Sequence, residues 1–116
     1  MANFDLKKVL SIVENDKGMA RTLLQMTVDL GSVDMLEMRK LTNKQEYLAA
    51  GNLAHKLKSS TATLGFHDVS DLMKELEHYS KTEVDPLIFE EKLNNLEYVT
   101  NELFGFIRQA LASELK

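Results

Sequence analysis

Apolar residues return at spacings of three and four along almost the whole chain, and a single proline, Pro86, stands in their way. An α-helix turns about 100° per residue, so this spacing gathers the apolar side chains on one face. Five glycines and one proline in 116 residues leave few breakers, and no stretch shows the two-residue alternation of a half-buried strand. The chain is therefore expected to be all-α. At this length, residues 1–116 are expected to form one domain around one core. Long amphipathic helices joined by short turns make antiparallel neighbours, hence a bundle.

Caps and breakers divide the pattern. Leu6, Val9, Leu10 and Val13 mark a short helix over residues 5–13, which Asn3 or Asp5 can cap. Asn15-Asp16-Lys17-Gly18 interrupts it, and Asp16 can cap the next helix. That helix, over 17–41, carries Met19 or Ala20, Leu23, Leu24, Thr27, Leu30, Met35, Met38 and Leu41. Gly31 costs it about 1 kcal/mol against alanine, and one long helix is expected in spite of it. The methionines at 19, 26, 35 and 38 read as core filling. Thr42-Asn43 is expected to turn the chain into a third helix over 44–64, which Gly65 stops. A fourth helix over 68–80 has Val69, Leu72, Met73, Leu76 and Tyr79 as its inner stripe. Asp85-Pro86 places a capping residue before a proline at the first helical position. The fifth helix then runs to Ala112 along Phe89, Leu93, Leu96, Leu103 and Ala110, with Gly105 a weak point. The expectation is an antiparallel four-helix bundle with a short additional N-terminal helix.

Composition narrows the function. The net charge of −4 argues against a nucleic-acid partner, which would need a basic face. No apolar run approaches the ~20 residues that span a bilayer, and Met-Ala-Asn-Phe-Asp is no signal-peptide start. Cysteine is absent, so there is no disulfide, thiol nucleophile or thiolate metal site. A cytoplasmic monomer is expected.

The third helix holds the residue of interest. Tyr47, Ala50, Ala54, Leu57, Thr61 and Leu64 form its apolar stripe. His55 lies about 140° from the centre of that stripe and is expected to face solvent. Gly51, Ser59 and Ala62 are its small neighbours on the outer face, with Asn52 and Lys58 one turn away and Leu48 two turns before. Gly51 and Ser59 are poor helix formers, so helix stability is given up around the histidine. A free imidazole, with a pKa near ~6.5, is largely neutral at pH 7 and is a good nucleophile. A phosphoryl group placed on it would add negative charge beside Lys58, which is within reach at three residues.

These residues resemble a known family. Ala54-His55-Lys56-Leu57-Lys58-Ser59-Ser60, then Leu64-Gly65, then Leu72 and Leu76-Glu77, is similar to the histidine-containing phosphotransfer (HPt) domain. That family's pattern is Ala-His-x-Leu-Lys-Gly-Ser, then Leu-Gly, then a helix with a Leu-Glu or similar pair. The resemblance implies a four-helix bundle that relays phosphoryl groups between receiver domains in multistep two-component signalling. It implies that His55 accepts the phosphoryl group and that Lys58, with Lys56 flanking, offsets its charge. It places Glu77 near the histidine, and Leu48, Gly51, Asn52 and Ala62 on the docking face. Such a domain is a carrier without kinase activity and without a cofactor or metal of its own; Mg2+ would come with the receiver. Ser59 departs from the family's glycine, at a position that lets the partner approach closely.

Two rival readings come from other classes. Glu75 and His78 have the Glu-x-x-His spacing of di-iron bundles, but those need two such motifs and two further inward carboxylates. Glu75 and His78 also lie off the apolar stripe. The second rival is a helical adaptor, a degenerate HPt domain that binds a receiver or other partner without phosphotransfer. His67-Asp68 lacks an accompanying nucleophile and reads as a turn.

Overall fold

Three aspartates start three of the five helices in the computed structural model, which describes residues 2–116. Asp5 accepts from the Lys7 amide at 3.0 Å and opens α1 (Leu6–Ile12). Asp16 accepts from Met19 at 2.9 Å and opens α2 (Lys17–Asn43). Asp85 accepts from Leu87 at 2.9 Å and opens α5 (Pro86–Ala112), with Pro86 in the first turn as expected. Between them lie α3 (Tyr47–Thr63) and α4 (His67–Ser80). All regular structure among the described residues is helical.

The turn before α3 differs from its sequence reading. α2 continues through Asn43, and Lys44-Gln45-Glu46 makes the turn, so α3 starts at Tyr47 rather than at residue 44. Gln45 takes the left-handed conformation, with φ 62°. That lets the Glu46 amide donate to Leu41 O, and the Gln45 amide to Thr42 O, each at 2.9 Å. Gly65, with φ 82°, closes α3 in the same way, and Phe66 donates to Thr61 O at 2.9 Å. Glycine announces such a stop in a sequence; glutamine does not.

α2 packs against α3 and α5, and α4 packs against the same two helices. The four close a ring around Leu24, Met38, Met73, Leu76, Phe89, Leu93, Leu96, Leu103 and Ile107, all fully buried. α1 rests against α2. α2 passes through Gly31 unbroken, and this glycine is buried: an added Cβ would meet the Phe104 ring at 2.7 Å. Arg39 ties α2 to α5 by pairing with Glu90 at 2.6 Å and Glu97 at 2.5 Å, and by donating to Asn94 at 2.8 Å. Glu90, Asn94 and Glu97 share one face of α5 through their four- and three-residue spacings.

The inward stripe of α2 also differs. Its buried residues are Ala20, Leu24, Val28, Gly31, Met35, Met38 and Thr42. Leu30, expected inside, is exposed, and so are Met19 and Met26. Only Met35 and Met38 of the four methionines fill core. Val28 and Gly31 take the inward positions, which rotates Leu30 out. Met26, Leu30 and Val33 instead line one wall of a groove of about 400 Å³ between α2 and α3. No helix among the described residues is long and apolar enough to cross a membrane.

Buried hydroxyls return to their own helices. Thr42, Thr61, Ser70 and Ser80 donate to the carbonyls of Met38, Leu57, His67 and Glu77. Thr100 Oγ1, in the middle of α5, has no partner although the residue is only 1% exposed. A buried hydroxyl without a hydrogen bond destabilises a fold, and valine has the same shape. Thr100→Val is therefore expected to stabilise the protein by about 1 kcal/mol, read as a higher urea midpoint. A midpoint at or below that of the wild type would contradict this account.

Candidate functional site

The site is built where α3 and α4 run side by side. Gly51, one turn before His55, is buried. A Cβ there would overlap Ser80 Oγ and Cβ and would lie 3.5 Å from the Glu77 Cα. The absent side chain lets the backbone of α3 approach α4 at this level. Gly51 was expected on the open face as clearance for a partner. The structure corrects that: His55 leans towards α4, which turns its neighbour at 51 beneath the end of α4.

The close approach brings three side chains together. His55, with its side chain 61% exposed, places Nδ1 2.9 Å from Glu77 Oε2. Lys58 Nζ lies 2.9 Å from Glu77 Oε1. Glu77 itself is only 6% exposed at its side chain. Its stripe neighbours Met73 and Leu76 face the core, and it occupies the edge of that face against α3. The Lys58 ammonium hydrogen-bonded to it holds its carboxyl at about 2, down from an ordinary 4.5. Burial opposes that shift, and hydrogen bonds from His55 and Lys81 add to it. Glu77 is therefore an anion that can only accept. The hydrogen bond between it and His55 requires the proton to sit on Nδ1. The lone pair of the neutral ring is then on Nε2, on the edge turned away from α4.

Lys58 Nζ also lies 3.5 Å from His55 Nδ1. Both atoms are donors in this arrangement, and the distance is at the limit for a hydrogen bond, so this is proximity only. Lys58 reaches the imidazole and is spent on Glu77.

The remaining expected residues spread over the surface. Leu48, Asn52 and Ser59 are exposed on α3, and Ala62 is half-buried. Lys56 points to the other side, where it pairs with Asp34 of α2 at 3.2 Å; it does not join the cluster at His55. Lys81 does join it, with Nζ 3.2 Å from Glu77 Oε2. Lys81 is not among the residues that the resemblance points to. The available signal was its spacing of four from Glu77, which puts the two on one helix face. Glu75 pairs with Lys92 of α5 at 2.6 Å, and His78 is exposed.

The depressed carboxyl of Glu77 gives a signed pH dependence. A folded-state value below the unfolded one adds stability that is fully present above about 4.5 and is lost as pH falls towards about 2. Wild type is expected to lose more stability between about pH 5 and about pH 2.5 than Glu77→Gln, compared by urea unfolding at the two pH values. Equal losses would remove Glu77 as the source.

Similarity agrees with the geometry. No curated protein and no solved structure shows significant similarity to the chain. The Hpt domain family matches over residues 17–113, from the start of α2 to the end of α5. Members of that family are phosphocarriers of two-component systems and work with receiver domains. The match takes in α3, α4 and the His55–Glu77–Lys58 cluster, and the chain belongs to the Hpt domain family.

Proposed function

We propose that the protein is a phosphorelay intermediate. His55 Nε2 takes a phosphoryl group from the phospho-aspartate of one receiver domain and passes it to the aspartate of another. The observation that carries this reading is the hydrogen bond from His55 Nδ1 to Glu77, 2.9 Å long. It leaves the nucleophilic lone pair on the exposed nitrogen.

In the forward step the Nε2 lone pair attacks phosphorus. The P–O bond of the acyl phosphate breaks, and its electron pair leaves on the receiver's aspartate. The ring becomes cationic with its proton on Nδ1, facing the Glu77 carboxylate, which stabilises that charge. Transfer back to a second receiver reverses the electron flow. Catalysis of this kind is chiefly positioning and charge stabilisation. The receiver would supply Mg2+, and Lys58 would offset charge on the transferring group. The protein needs no kinase activity of its own.

The docking face is proposed to run across the exposed side of α3. Leu48, Asn52 and Ser59 are exposed there, and Ala62 lies at its edge. Met26, Leu30 and Val33 line the groove that Lys56 borders, and they extend the face with apolar surface. An apolar area of this kind suits a protein partner.

Phosphohistidine is acid-labile and stable to alkali. Incubation with phosphorylated receivers is expected to label wild type in that form. His55→Gln is expected to lose all label while keeping its helical circular dichroism and its receiver binding. Label that persists in His55→Gln places the acceptor elsewhere. A wild type that binds receivers and never labels is the adaptor instead. The role of the open position four residues on is separable: Ser59→Trp is expected to slow transfer from a receiver by about tenfold or more. Labelling of the same variant by the small donor phosphoramidate should stay near the wild-type rate. Equal slowing with both donors would show that Ser59 acts on the chemistry and not on docking.

A further inference from the structure

Glu77 faces more positive charge than the orientation of its histidine partner needs. Oε1 accepts from Lys58 at 2.9 Å, and Oε2 accepts from His55 Nδ1 at 2.9 Å and from Lys81 at 3.2 Å. One buried carboxylate thus faces two ammonium groups, one from α3 and one from Lys81, which caps the end of α4. Before transfer the cluster of neutral imidazole, carboxylate and two lysines has one net positive charge. Transfer places about two negative charges on the phosphoryl oxygens and one positive charge on the ring, so the oxygens are left with more charge than the ring offsets.

Lys58 is the lysine placed to meet that charge. It leaves from the same helix as His55, and its Nζ already lies 3.5 Å from Nδ1 of the ring, from where a turn of the side chain can follow the ring edge towards Nε2. Its side chain is 25% exposed and committed to Glu77. To serve the phosphoryl group it must loosen that pairing. A carboxylate with only 6% of its side chain exposed pays heavily for losing a countercharge. Lys81 stands on the other oxygen, four residues on at the C-cap of α4, with its own side chain 54% exposed. It can stay on Glu77 without leaving its helix face.

We propose that Lys81 is a positioning residue for phosphotransfer: it keeps Glu77 paired while Lys58 turns to the phosphoryl group on His55. This inference rests on the phosphocarrier reading above. Without Lys81, Lys58 stays on Glu77 and its help to the transferring group is lost. The two lysines therefore act as one unit, although only one of them meets the phosphate.

The test uses phosphoramidate as donor, so that receiver docking plays no part. Nε2 attacks its phosphorus, the P–N bond breaks and ammonia leaves. Lys58→Met and Lys81→Met are each expected to slow labelling of His55 by about fivefold. The double variant should be no slower than either single one, and Lys81→Arg should restore most of the rate. Nitrogen-15 NMR of unphosphorylated Lys81→Met should still show the proton on Nδ1, because Lys58 still holds Glu77 there. Labelling of Lys81→Met at the wild-type rate, losses that multiply to about 25-fold, or a changed tautomer would each overturn the inference. A failure of Lys81→Arg to recover would do the same. If wild type itself takes no phosphoryl group from phosphoramidate or from any receiver, the phosphocarrier reading fails and this inference fails with it. If wild type labels and Lys81→Met labels equally well, the inference fails alone.

Discussion

A single buried carboxylate organises this protein. Glu77 sits between α3 and α4 with 6% of its side chain exposed, where an unpaired charge would cost several kcal/mol. It is tolerated because donors converge on it from two sides: His55 and Lys58 from α3, and Lys81 from the C-cap of α4. The same contacts that compensate the charge also do chemical work. An acceptor that cannot donate dictates the tautomer of the imidazole, and the tautomer dictates which nitrogen is nucleophilic. Structural and functional demands meet in the same atoms.

The rest of the bundle keeps that meeting in register. α2 and α5 form the opposite side of the ring, held by a buried apolar seam and by Arg39 bridging to Glu90, Asn94 and Glu97. Neither helix contributes a group to the cluster. They fix how α3 and α4 lie against each other, and they supply the apolar groove wall beside the site. On the proposed reading, reaction chemistry and partner contact are thereby divided between neighbouring surfaces. The chemistry would use the α3–α4 seam, and the apolar contact area would belong largely to α2.

Much of this was legible in the chain itself, wherever one helix decides the outcome. The outward direction of His55 follows from angular arithmetic along α3 alone. The starts of α1, α2 and α5 follow from Asp5, Asp16 and Asp85, whose side chains satisfy amides two or three residues away. The failures share a different cause. Gly51 looked like an open position because periodicity measures angle about one axis and not the nearness of a second helix. Lys56 was expected to flank the site beside Lys58, but Asp34 on α2 draws it away, while Glu77 on α4 holds Lys58. Leu30 and Val28 compete for one stripe, and the close pass of Phe104 over Gly31 decides which faces inward. Gln45 hid a turn because its left-handed backbone has no signature in its side chain.

Gly51 has one further consequence. The separation of α3 and α4 at the active level is set where backbone meets Ser80, not by the length of the polar side chains. A methyl group at that position would act as a wedge, and the hinge of its effect lies one turn away. Pushing the helices apart lengthens the reach from ring to carboxylate and frees the imidazole to exchange its proton between nitrogens. The reactivity of the histidine is thus gated by a residue with no functional group at all. Its contribution is a distance.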